Sequence, residues 1–245
     1  MDVESGLYGR QSGAADSPLV HMALERDRRN FVRKVYATVG VQLAATAAIA
    51  APIAAASDGW LEAHAGLLFA STFGFLLMIP ILFCCGASLM RKHPSNLIIL
   101  AGFTVFEAIS VGFMCAMYEA QSVVLCLGAT AAVAGALTVF AMTTERDLTG
   151  MGGYLQAGSL GLFIFGLVGL FLGAPMLQML YAFFGAILVS GHIVYDTQLV
   201  LGGKHQKKKF GIDDYALAAL ALYMDLVRLF LFLLRLLGEQ RRQRR

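Results

Sequence analysis

Seven apolar runs, at about 35–56, 66–90, 97–118, 122–142, 154–173, 176–201 and 214–237, follow one another along the chain with only short connections between them. A transmembrane helix needs roughly 20 apolar residues, so every run is long enough to cross a bilayer. The expected fold is all-α and integral to the membrane: a seven-helix bundle with the last helix central, or six spans plus a re-entrant last segment. Hydrophobic side chains make up 58% of the 245 residues and charged ones 14%, where soluble domains carry about 25% charge. That leaves too little polar surface for a water-soluble enzyme. The chain divides into a polar tail at 1–34, a helical bundle at 35–237 and a basic end at 238–245.

The seventh run differs from the others because it contains Asp225, Arg228 and Arg235. Each costs about 2.5–3.5 kcal/mol near a helix centre. Such a helix is expected to be sheathed by the other six, or to dip in and return, so that its charges meet protein or water. Lys and Arg number six in the tail, none at 57–65, two at 91–96, none at 119–121, one at 143–153, none at 174–175 and four at 202–213. The positive-inside rule therefore places the amino terminus and every second connection in the cytoplasm. Arg241, Arg242, Arg244 and Arg245 would prefer the same side and favour a re-entrant segment. The length of Tyr215 to Leu237, roughly 34 Å as helix, favours a full span.

The tail has no apolar segment after a basic start, so no cleaved signal peptide is expected and the first helix inserts as its own anchor. Cys84, Cys85, Cys115 and Cys126 all fall in apolar runs and read as packing residues rather than a disulfide framework, with lipidation of Cys84–Cys85 the lesser alternative. Gly158, Gly161, Gly166, Gly169 and Gly173 read as close helix packing, and Pro80 as a kink.

Ionisable groups at membrane depth mark functional pathways by default. Asp196, near the cytoplasmic end of the sixth run, and Asp225 in the seventh are the main candidates. Two carboxylates within hydrogen-bonding reach cannot both ionise cheaply and titrate as a unit, which makes a proton sensor. Arg91 is expected to reach the level of Asp196 and latch it. The bland alternative is a pair of static ion pairs, Asp196 with Arg91 and Asp225 with Arg228. Glu107 has no cation at helical spacing and is expected to line a wet cavity. His192 shares a face with Asp196 and reads as a hydrogen-bonding residue rather than a zinc ligand, because no ligand set completes zinc spacing.

Several stretches carry a resemblance. They are Phe31-Val32-Arg33-Lys34-Val35-Tyr36, Lys92-His93-Pro94-Ser95-Asn96-Leu97, Gly102-Phe103-Thr104 with Glu107, and Arg146-Asp147-Leu148-Thr149. Later come Tyr195-Asp196-Thr197-Gln198, Gly202-Gly203-Lys204-His205, Asp213-Asp214-Tyr215, and Leu222-Tyr223-Met224-Asp225-Leu226-Val227-Arg228-Leu229-Phe230. Together they resemble the Bax inhibitor/Lifeguard family over nearly the whole chain, and the short amino-terminal tail is most similar to its Golgi anti-apoptotic branch. The resemblance implies calcium leak from internal stores and suppression of cell death, in the Golgi or endoplasmic reticulum membrane. It also implies that Asp196 and Asp225 match the family's paired aspartates and that Arg91 matches the arginine latching the first of them. Arg228 stands where many relatives have an uncharged residue, usually Asn, which implies a weakened or shifted pH response.

The leading expectation is a pH-regulated calcium leak with Asp196, Asp225 and Arg91 as sensor and gate, and with Glu107, His192 and Arg228 along the pore or cavity. Protonation either loosens the latch, raising flux, or competes with calcium held transiently by Asp196 and Asp225, lowering it. The alternative is a non-conducting survival scaffold that binds calcium-release channels or apoptosis regulators. An intramembrane aspartyl protease is a remote third reading, because the Gly-x-Gly-Asp and Pro-Ala-Leu contexts are missing; no enzyme is expected. Expected partners are the lipid bilayer and calcium as permeant ion, with no cofactor and no nucleic acid. The Lys207–Lys209 run and the terminal arginines read as attracted to anionic lipid.

Overall fold

The computed structural model describes residues 18–202 and 210–241. The basic run at 204–209, residues 1–17 of the tail and the last four residues lie outside that range, as do the side chains of Cys84 and Cys85. The helices are α1 (Pro18–Ala54), a short α2 (Asp58–Ala63), α3 (Ala65–Leu89), α4 (Ser95–Ala116), α5 (Ala120–Thr143), α6 (Gly152–Leu172), α7 (Pro175–Leu201) and α8 (Tyr215–Leu237). Short 3-10 turns at Thr149–Met151 and Ile212–Asp214 lead into α6 and α8. α1 and α4–α8 are long and apolar enough to span a membrane, and the Ala65–Pro80 part of α3 is a further apolar helix. The chain is an all-α integral membrane protein.

Span boundaries follow the apolar runs closely, with one large exception. α1 begins at Pro18, so residues 18–34 are its first turns rather than an irregular tail. Good helix formers in Met22-Ala23-Leu24-Glu25-Arg26 favour this locally. Burial finishes it: Phe31, Val35 and Val39 pack at helical spacing against Val200, Ala218, Ala219 and Leu222. At 37 residues and 1.5 Å each, α1 is roughly 55 Å long and must project beyond a hydrocarbon core of about 30 Å.

α8 is the most deeply enclosed of the candidate spans. It packs on α7, α1, α5 and α4, and it buries Ala216, Ala219, Leu222, Tyr223, Val227, Phe230 and Leu234. α1 packs chiefly on α4 and α8, α4 also on α3, α5 on α7 and α8, and α6 on α7. Glycines allow the tight approaches. A Cβ at Gly185 would clash with the Phe232 ring, and one at Gly166 would meet the Tyr181 ring at 2.7 Å. Gly158 and Gly169 likewise face Leu188 and Leu177 of α7, while Gly161 meets nothing.

Contacts at the two ends of the bundle define its faces. At one face Arg28 donates to the carbonyls of Leu199, Leu201 and Phe210, at 2.6, 3.0 and 2.6 Å. Gln198 there accepts from the Leu148 amide at 2.8 Å and donates to the Arg146 carbonyl at 2.9 Å. This face also carries Arg91, Lys92 and the start of α8. At the other face the chain after α8 meets the α4–α5 connection: the Glu119 amide donates to Glu239 and the Arg241 amide to Met117, both at 2.9 Å, around a bridge of Tyr118 with Gln240. The ends of α8 thus lie at opposite faces, so the last helix crosses the bundle completely. The re-entrant alternative is excluded, and Arg241 sits on the face away from the other basic connections.

Candidate functional site

α7 and α8 bring Asp196 and Asp225 together. Asp196 lies about five residues, roughly 8 Å, inside the α7 terminus, and Asp225 about ten residues, roughly 15 Å, inside the start of α8. The two meet because α8 begins further out than α7 ends. Their carboxyl groups are in direct side-chain contact, at 8% and 3% exposure. Asp225 Oδ2 has no hydrogen-bond partner. Two carboxylates in contact repel each other when both are ionised, so the protonation of one is linked to that of the other.

Arg228, one turn further along α8, is within electrostatic reach of both aspartates. It is also within reach of Glu107 on α4 and His192 on α7. Arg228 itself is exposed although it lies mid-helix. The nearest cationic influence on Glu107 thus comes from another helix, across the bundle. His192 Nδ1 lies 3.1 Å from the Leu188 carbonyl, a local helical hydrogen bond.

Arg91 is placed differently from expectation. Its Nε donates to Asp214 Oδ1 at 2.6 Å and its Nη2 to Oδ2 at 3.2 Å, so the ion pair it makes is with Asp214 and not with Asp196. The reason is reach. Arg91 is largely exposed just beyond α3, where the 3-10 turn Ile212–Asp214 offers a carboxylate at its level, while Asp196 lies a turn and a half inside the bundle. Asp214 holds the guanidinium above its ordinary pKa, so it stays charged throughout the physiological range. The expected static pairing of Asp196 with Arg91 is likewise not formed. Beside the Arg91–Asp214 pair lies a cavity of about 440 Å³ lined by Asp27, Lys34, His93, Asn96, Asp213 and Tyr215. The Lys34 ammonium sits 3.4 Å from the Tyr215 ring centroid, and Asn96 donates to the Tyr215 hydroxyl at 2.7 Å.

A buried polar chain between α1, α4 and α8 adds residues that sequence reasoning missed. Tyr223 donates to Thr46 at 2.9 Å, given that Thr46 itself donates to the Gln42 carbonyl at 2.8 Å. Gln42 Nε2 donates to Thr104 at 3.0 Å, while Gln42 Oε1 has no partner. Gln42 and Thr46, four apart on one face of an apolar run, were the available signal. Tyr223 is also within electrostatic reach of Glu107. On the other flank Tyr36 reaches toward Thr197 and Thr138. Among the described residues no group of three or more His, Cys, Asp or Glu could hold a metal ion. Cys115 and Cys126 are free and buried.

Residues 28–242 match the family described as "Inhibitor of apoptosis-promoting Bax1". The chain is 33% identical to protein lifeguard 3 of Homo sapiens, covering 87% of this chain and 70% of that protein. It is 34% identical to the BI1-like protein of Arabidopsis thaliana, covering 86% and 81%. A bundle built around a central helix with a buried aspartate pair is thus the setting in which these sequence matches fall. The chain belongs to the Bax inhibitor family of multi-pass membrane proteins.

Proposed function

We propose that the protein is a calcium leak pathway of an internal membrane, Golgi or endoplasmic reticulum, regulated by protons, and that by lowering stored calcium it suppresses cell death. The observation that carries this reading is the buried contact of Asp196 with Asp225 between α7 and α8. Both are hard-oxygen donors of the kind calcium prefers, and one buried oxygen lacks a partner. The family description and the name of the relatives agree with a role in cell survival. By the positive-inside rule the basic face is cytoplasmic.

The sign of the pH response follows from the contact. A shared proton holds the carboxyl groups together. Its removal leaves two like charges that separate, and a divalent cation between them relieves the repulsion. Protons therefore compete with calcium, and leak rises with pH. Of the two expected signs this one is favoured because Arg91, whose release from Asp196 would have opened the path in acid, is held by Asp214. Arg91 instead ties the first turn of α8 to the end of α3, so that pair gates the mouth rather than the sensor. Calcium flux into liposomes containing the purified protein tests the reading. A chain that never conducts yet still protects cells would be a scaffold for channels or death regulators.

A further inference from the structure

The wall of the bundle opens between α1 and α5. These two helices are the lips of a crevice of about 430 Å³, because α1 packs on α4 and α8 while α5 packs on α7 and α8. Its lining includes Leu43, Ala47 and Ala50 of α1, Leu127 and Ala131 of α5, and Phe230 of α8. Leu43 and Leu127 are exposed at the rim. All of these residues lie within spans, in the half of each helix away from the basic face, since α1 enters from that face and α5 returns toward it.

We infer that this crevice binds an acyl chain of a phospholipid from the leaflet opposite the basic face. The lining offers hydrocarbon and almost nothing else. Its two threonine hydroxyls are already engaged, Thr46 with the Gln42 carbonyl and Tyr223, and Thr130 with the Cys126 carbonyl at 2.7 Å. Water needs about two to four polar partners and finds there little beyond the accepting oxygen of Thr130 and the weak Cys115 thiol, whereas an apolar cavity of about 150 Å³ already accommodates a benzene. A crevice of this size at membrane depth, open sideways between α1 and α5, adjoins the hydrocarbon chains of the bilayer. The occupant lies against Leu226, Val227 and Phe230, on the flank of the helix that carries Asp225 and Arg228. This inference does not rest on the calcium reading.

The test is photolabelling in liposomes with phosphatidylcholine carrying a diazirine at the end of one acyl chain, followed by peptide mapping. Adducts are expected to be several-fold denser on residues 43–54 and 123–134 than on Phe171 and Leu172 of α6, which are exposed and apolar and lie outside this crevice. Filling the space with Ala131→Phe, or with the smaller Ala47→Leu should the first variant not fold, is expected to bring labelling down to the α6 level. Equal labelling of the crevice and α6, or labelling unchanged in a filled variant that elutes as a folded protein, would overturn the proposal. Preferential labelling of the crevice by a photoreactive sterol over the phospholipid would overturn the assigned occupant.

Discussion

Arg91 holds Asp214 in a two-pronged ion pair, 2.6 Å from Nε to Oδ1 and 3.2 Å from Nη2 to Oδ2, across the mouth of the bundle. The pair joins the end of α3 to the turn that starts α8, the helix on which Asp225 sits. Movement of α8 along its axis has to break it.

Breaking that pair is predicted to raise calcium leak. Arg91→Gln and Asp214→Asn should each increase flux severalfold at neutral pH with little change in thermal stability, because an exposed ion pair contributes little to folding. The charge-reversed double variant, Arg91→Asp with Asp214→Arg, should return flux toward wild type. Flux unchanged in both single variants would remove the pair from the gate.

Arg228 is a tethered cation within reach of Glu107, His192, Asp196 and Asp225. A fixed positive charge beside a cation path repels the permeant ion, by about 4 kcal/mol per unit charge at 4 Å and an effective dielectric near 20. Arg228→Gln is predicted to raise calcium flux, and Arg228→Lys to leave it near wild type. Concentration dependence of flux in the three proteins checks this; equal curves would contradict it.

The Tyr223–Thr46 hydrogen bond is predicted to support the central helix. Hydrogen bonds between membrane helices contribute about 0.6 kcal/mol on average and up to about 1.7, so Tyr223→Phe and Thr46→Val should each destabilise modestly. The double variant should cost less than the sum, a coupling readable in unfolding of the reconstituted protein. Strict additivity would mean the hydroxyls do not depend on one another.

The sequence made the spans legible because apolar runs of membrane length leave few alternatives, and it made the aspartate pair legible because charges at that depth are rare. It was silent where tertiary contact decides. The polar start of α1 has only modest local helix preference, and what fixes it is tertiary: Phe31 and Val35 dock on α7 and α8 and Arg28 caps the end of α7. The arginine of one connection can meet any carboxylate at its level, and only the 3-10 turn before α8 reveals that it meets Asp214. Positive-inside counting gave opposite signals at the chain's end. The bridge between Tyr118 and Gln240 settles that α8 crosses, since backbone pairing at the far face overrides the preference of a few arginines. Glu107 lacked a cation only because helical spacing sees one helix at a time.

The most direct test of the aspartate pair is calcium uptake by liposomes at several values between about pH 5 and 8, for the wild type beside Asp196→Asn and Asp225→Asn. The account predicts a wild-type flux that rises with pH and a nearly flat profile in both variants, because an amide keeps the shape of the protonated acid but cannot release a proton. A pH profile that persists unchanged in both variants would contradict it.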